Sequence, residues 1–258
     1  GKRASRGFSA YFTRYRVPAV AAMIESVVAQ GAVRPLLIAC VALLLGGCGA
    51  DERASVSPMD TPEDRAPRFV GSAACADCHT DEFEAWQTSH HALAMQHATA
   101  ETVLGDFSGV SFDYFGVTST FFQRDGTYYV RTDDEEGELR DFPVAYVFGV
   151  MPLQQYLVEF PGGRLQPLAL SWDSRPAEDG GQRWFHLYPD EPVTHADTLH
   201  WTGREQNWNY MCAECHSTKL EKNYDAVTDS YETTWSDINV GCEGCHGPGS
   251  RHVTQAES

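Results

Sequence analysis

Cys75-Ala76-Asp77-Cys78-His79, Cys212-Ala213-Glu214-Cys215-His216 and Cys242-Glu243-Gly244-Cys245-His246 repeat one five-residue pattern, Cys-x-x-Cys-His. This is the attachment signature of a c-type haem. Each thiol adds across a vinyl group to form a thioether, and the two intervening residues match the separation of the vinyls. The adjacent His lies on the same turn and becomes the first axial ligand of the iron. With 8 Cys and 10 His in 258 residues, random placement predicts roughly 0.01 copies of the pattern. The three copies imply three covalent haems, with Cys75, Cys78, Cys212, Cys215, Cys242 and Cys245 as thioether sites. His79, His216 and His246 are then the proximal ligands. A zinc site built from Cys212/Cys215 and Cys242/Cys245 has a tolerable spacing. It leaves the first pair unmatched and all three following histidines unexplained. A thioredoxin-like pair would need a surrounding βαβ pattern, which is missing around every copy.

The N-terminal stretch reads as an export leader. Gly1 is not a methionine and Met23 is the first plausible start, so the chain reads as a fragment or an over-extended frame. Arg34 supplies a basic n-region and Pro35 to Leu45 an apolar h-region. The run is shorter than the roughly 20 residues of a membrane-spanning helix. It ends Leu45-Gly46-Gly47-Cys48, which resembles a bacterial lipobox with Cys48 as the lipidated mature N-terminus. Leu37-Ile38-Ala39-Cys40 is a second lipobox-like run. Cleavage there would leave a short h-region and a greasy start, so Cys48 is preferred. The reading gives a lipid-anchored protein in an exported compartment, facing the periplasm or the cell surface, where c-type haems are attached. Gly49 after the lipid site favours the outer membrane by resemblance to lipoprotein sorting rules. Six cysteines on haem, Cys48 on lipid and Cys40 in the leader leave none for a disulfide.

The formal charge is −17. Residues 1–47 hold six of the 19 basic residues and one of the 36 acidic ones, so the remainder carries −22. Such a surface repels nucleic acid. It steers a redox partner protein with a basic docking surface. The acidic run at 133–138 lacks the spacing of a calcium loop and reads as a solvated turn.

Along the chain, 1–47 is the leader and lipoprotein signal, and 48–67 a Pro-rich flexible tether. Residues 68–107 form the first haem segment. Phe83, Trp86, His90, Leu93 or Ala94, and His97 fall at helical spacing, which predicts one helix through this stretch. Residues 108–188 are β-rich, with alternating aromatic and β-branched runs and a hairpin signal at Asp125-Gly126. They predict an antiparallel meander of four to six strands. Residues 189–258 carry the second and third motifs, with 30 residues between Cys212 and Cys242, so these two haems are expected to pack near each other. The chain stops soon after the third motif without a terminating element, which reads as truncation. The fold class expected is α+β, with short helices and loops around haems and an inserted antiparallel β-meander.

Seven histidines lie outside the motifs. A second axial His gives a six-coordinate, low-potential iron, and a Met such as Met95 or Met211 raises the potential. His91 and His252 lead as distal ligands, the latter beyond the Gly247-Pro248-Gly249 turn. His90 competes with His91. His186 and His200, beside aromatic residues, are further candidates, whereas a lone His such as His195 reads as a surface residue.

Together, several stretches resemble the multihaem cytochrome c-554 family, and more narrowly exported multihaem cytochromes with C-terminal tetratricopeptide repeats. They are Val70 to Cys75 with its motif, Trp86 to Ala94, Gly149 to Tyr156, Trp184 to Pro189, Asn207 to Met211, and Cys242 to His252. The resemblance spans roughly 68–254. It implies a multihaem cytochrome c fold. It also implies that the Trp-x-x-Ser-x-His stretch supplies His91 as a distal ligand and that His252 is the distal ligand after the Gly-Pro-Gly turn. Relatives carry a fourth motif and then helical repeats, so the resemblance allows a fourth haem in a full-length form.

The function these observations imply is a membrane-tethered relay of single electrons through covalent haems, with no catalytic residue assigned. The alternative is a reductase or oxidase of a small nitrogen or sulfur compound using a five-coordinate haem. Plentiful histidine and the lack of a lysine-ligated motif variant favour the relay over the catalyst.

Overall fold

Alternating side chains between Val110 and His186 set up a sheet that organises the rest of the chain. The computed structural model describes residues 66–258. The readings for the leader, for Cys48 and for nearly all of the 48–67 tether lie outside the described residues.

Nine antiparallel strands form one sheet among the described residues. They are β1 (Met95–His97), β2 (Val110–Tyr114), β3 (Val117–Arg124), β4 (Thr127–Asp133), β5 (Leu139–Phe148), β6 (Leu153–Phe160), β7 (Arg164–Pro167), β8 (Leu170–Asp173) and β9 (Arg183–His186). The hydrogen-bonded path runs β2-β3-β4-β5-β6-β8-β9, with β1 on β5 and β7 on β6. Asp125 and Gly126 turn β3 into β4 with φ of 52° and 79°. Two left-handed residues match the right-handed twist of the flanking strands.

The path curls until its ends nearly meet. Tyr114 of β2 stacks on His186 of β9 with ring centroids 3.6 Å apart. Inside, Phe121 of β3 stacks on Trp184 of β9 at 3.5 Å. Phe107 makes edge contacts with Phe121, Tyr128, Tyr156 and Trp184. This barrel-like interior buries aromatic surface on every side, and large rings in edge-to-face order add to the area term.

The helices are short: α1 (Thr80–Gln87), α2 (Trp208–Met211), α3 (Ala213–His216), α4 (Cys242–His246) and α5 (Ser250–Ala256). The described residues are thus mostly antiparallel β with few helices, rather than an even α+β mixture. The meander is also larger than the expected four to six strands. β1 and β2 escape the sequence patterns, and the Arg164–Trp172 run divides at Pro167, which has no N–H for the ladder. The single helix expected through His97 ends at Gln87. Met95, Gln96 and His97 instead pair with Phe148, Val147 and Tyr146 of β5. The open edge of β5 recruits them, and Met95 becomes fully buried. Here tertiary pairing overrides a 3.6-residue pattern.

A second apolar cluster joins the sheet to the second motif. Met95, Phe148, Leu157 and Leu165 pack with Trp208 and Ala213. Asn209 locks the seam: its Oδ1 accepts from the Leu165 N–H at 2.8 Å, and its Nδ2 donates to the Gly163 carbonyl at 3.1 Å.

Candidate haem centres

All three motifs fold as helical or near-helical turns, and the thiols share one exposure pattern. The first Cys of each, at 75, 212 and 242, is half-buried, and the second, at 78, 215 and 245, is exposed. Such a turn roots one thiol in the protein and presents the other outward. Burial pushes the Cys75 thiol above its ordinary value, and the Cys242 thiol beside it pushes it further. Burial likewise raises Cys212.

The first and third motifs are clamped together across the sequence. Glu243, inside the third motif, is almost fully buried. Its carboxylate accepts from the backbone N–H groups of Val70, Gly71 and Gly249 at 3.0, 2.8 and 2.7 Å. Asp237 accepts from the Ser72 N–H and hydroxyl. The Ser72 hydroxyl accepts in turn from the Cys242 N–H at 2.9 Å. Space here allows only glycine at 241, because a Cβ would sit 2.3 Å from both Asp237 Oδ2 and Ser72 Oγ. Hydrogen bonds to a carboxylate are among the stronger ones, so the acids that look like solubilising charge in the sequence serve as a latch. Sequence reasoning missed Glu243 and Asp237. The one available signal was an acid at a position inside a haem motif.

The second and third motifs are joined through residues 88–94 and through Thr218. His91 O accepts from the Val240 N–H at 3.2 Å. Ala92 O accepts from Asn239 Nδ2 at 2.7 Å. Ala94 O accepts from the His216 ring Nδ1–H at 3.0 Å. Thr218 Oγ1 donates to Asn239 O and accepts from the Gly241 N–H, both at 2.8 Å. The His216 bond is chemically informative. A carbonyl only accepts, so Nδ1 carries the proton and Nε2 keeps its lone pair for a metal. Ligating histidines are oriented in this way by a second hydrogen bond.

Among the described residues no three His, Cys, Asp or Glu side chains converge to hold a bare metal ion. Cys212, Cys215, Cys242 and Cys245 therefore do not form the tetrahedral cluster that zinc would need. The outward thiols and the preset His216 tautomer fit a c-type haem instead.

The other sequence candidates scatter. His252 of α5 lies with its ring centroid 6.1 Å from that of His79. His90 and His91 are exposed beside the 239–241 segment, and His91 touches it through its backbone. His97 packs on Tyr146. His186 ends β9, and His200 lies in the loop beyond it, against Asp133 of β4. Both ring nitrogens of His200 are engaged, Nδ1 with Thr202 Oγ1 at 2.8 Å and Nε2 with Asp133 Oδ2 at 3.2 Å. His186 Nδ1 accepts from the Tyr188 N–H. Burial pushes the His186 imidazole down to about 4, so the ring is neutral near pH 7.

Cys-x-x-Cys-His turns on short helices, latched to one another and docked on a β-sheet, make up the candidate site. The chain resembles a multihaem cytochrome c: the model of the family described as cytochrome c554 and c-prime matches residues 74–106 and 187–247. The resemblance read from the sequence holds over these two stretches, which bracket the sheet. The crystal structure of the outer cell wall cytochrome OcwA is similar at 20% identity over 73% of this chain, with a TM-score of 0.45. The chain spans 33% of that protein's length. No curated protein matches the chain.

Proposed function

We propose that the chain carries three c-type haems, at Cys75/Cys78, Cys212/Cys215 and Cys242/Cys245, and relays single electrons among them. The observation that carries this reading is the junction of the motifs. Cys75 stands beside Cys242, and the clamp of Glu243, Asp237 and Ser72 holds their two turns together. Haems held at Cys75 and Cys242 would be held close to one another, a placement suited to passing electrons between them. When bound, haem iron supplies a reversible one-electron change between ferrous and ferric states.

The chain's own residues set the coordination. His79, His216 and His246 are the proximal ligands. His252, whose ring centroid lies 6.1 Å from that of His79, would be the distal ligand beside it. His91, with His90 as its neighbour, is offered to the haem of the third motif, because Val240 holds its backbone next to Cys242. His186 and His200 fit the sheet better than an iron.

The leader and Cys48 support a protein exported and held by lipid to a bacterial membrane, facing the periplasm or the cell surface. Among the described residues no helix is long and apolar enough to cross a membrane. The excess of acid directs the relay toward partners with basic surfaces.

The test is the full chain made in a host that ligates haem c. Its mass should exceed the polypeptide by three haems, and its spectrum should be low-spin and unmoved by carbon monoxide. His252→Ala should convert one haem of the three to a high-spin form that binds carbon monoxide. No added haem mass would end the reading. A carbon monoxide-binding haem in the unmutated protein would turn it toward a reductase or oxidase of a small nitrogen or sulfur compound.

A further inference from the structure

The inward ends of β2, β3, β4, β8 and β9 enclose a cavity of about 220 Å³ at one mouth of the curled sheet. It is independent of the haem reading. Two loops close it. Tyr114 donates its hydroxyl to Tyr188 O at 2.9 Å and accepts from the Val193 N–H at 3.2 Å, which pins residues 188–193 across the opening. The turn after β4 meets the same loop at Gly137, where a Cβ would lie 2.6 Å from His195 Nδ1. Cavities at the mouths of β-barrels are a common location for small-ligand sites.

The interior has two characters. Leu168, Leu170, Val193 and Trp201 form apolar walls. The polar floor is Asp133, which is buried. Its Oδ2 faces His200 Nε2 at 3.2 Å, and its Oδ1 accepts from the Thr132 hydroxyl at 3.2 Å. Thr132 is bonded to Ser119 at 2.8 Å. Each carboxylate oxygen has one such partner and a second lone pair for an acceptor role. His186 Nδ1 is occupied by the Tyr188 N–H, which leaves its Nε2–H as a donor. The ring of His186 is held flat on Tyr114. A void left by imperfect packing is apolar and dry; this one contains a buried carboxylate, two hydroxyls and two imidazoles.

We infer that this cavity is a binding site for a small neutral hydroxylated aromatic ring, a monocyclic phenol. Size limits the ligand to one ring, since a cavity of about 150 Å³ takes up benzene. The apolar walls and the flat Tyr114–His186 stack select a planar body. The carboxylate of Asp133 selects a hydroxyl donor. A carboxylate-bearing ligand would meet a like charge, and a bare hydrocarbon would leave the remaining lone pairs of Asp133 without a donor.

Titration of the folded, haem-loaded protein with phenol, followed by ligand-observed saturation-transfer NMR, tests the inference. Phenol should saturate with a Kd of about 1 mM or tighter. Cyclohexanol, which keeps the hydroxyl but not the plane, and toluene, which keeps the plane but not the hydroxyl, should each bind about tenfold more weakly or less. Asp133→Asn should weaken phenol by about tenfold. Thr194→Trp, at an exposed position on the rim, should abolish binding by filling the mouth, and it decides the matter alone if Asp133→Asn does not fold. Absence of saturable phenol binding, or a Kd unchanged in Thr194→Trp, overturns the site. Equal affinity for cyclohexanol overturns the aromatic assignment, and an unchanged Kd in a folded Asp133→Asn overturns the role of the carboxylate.

Discussion

The curled sheet and the haem-bearing segments are held by different forces. The sheet between Val110 and His186 closes around its own rings, with Phe107, Phe121, Tyr156 and Trp184 buried together. The haem segments bury few large side chains apart from Trp208. They are tied by carboxylates and hydroxyls to backbone N–H groups, and their second cysteines stay exposed. One region carries its core in the sequence. The other is held by polar contacts around its motifs. The cytochrome c554 and c-prime match covers residues on both sides of the sheet and skips 107–186, so the division by physical glue is also a division by family pattern.

Withholding haem attachment is the strongest way to sharpen this contrast. In protein carrying Ser at all six motif cysteines, amides of 68–92 and 240–256 should lose hydrogen-exchange protection. Amides of β3, β4, β5 and β6 should keep theirs, because their burial owes nothing to porphyrin. Equal loss in both regions would break the comparison. Next in size is Trp184→Ala, which removes the ring stacked on Phe121. It should cost about 3–5 kcal/mol in denaturant unfolding of the sheet and leave haem stoichiometry and the visible spectrum unchanged in the folded protein.

Glu243→Gln probes the other region. The charged acceptor of three backbone N–H groups becomes neutral, with an expected cost of about 1–3 kcal/mol. The loss should be confined to exchange at Val70, Gly71 and Gly249. The smallest effect concerns acid. Arg175 beside Asp173 holds its carboxyl down to about 2, with bonds at 2.9 and 2.6 Å. The depressed folded value means that the ionised form contributes stability. That contribution is full above the unfolded value of about 4 and is lost as pH falls toward about 2. Thermal midpoints of the wild type and Asp173→Asn should therefore converge across that window, with haem bands unaffected.

Much of the sheet was legible because strand patterns are local. Val117–Arg124 and Thr127–Asp133 alternate, and Asp125-Gly126 announces the turn between them. β1 was not legible, because Met95–His97 become a strand only through the free edge of β5. The haem chemistry was legible for a different reason: five consecutive residues carry the thiols and the first ligand. Distal ligands depend on which loops meet in space, so the sequence left His186 and His200 standing as further candidates behind His91 and His252. The fold sends the first two to a cavity and the last to within 6.1 Å of His79.

By itself the sequence supplied the three Cys-x-x-Cys-His patterns on which the proposed cofactor rests, since two thiols and an imidazole fall within one turn of chain. Tertiary structure alone decided that the first motif lies against the third, that Glu243 and Asp237 are latches, and that Asp133 faces a cavity. Each of those facts rests on partners about 60 to 170 residues apart in the chain, and only the closed path of the backbone, with its buried N–H groups in need of acceptors, brings such partners within hydrogen-bonding reach.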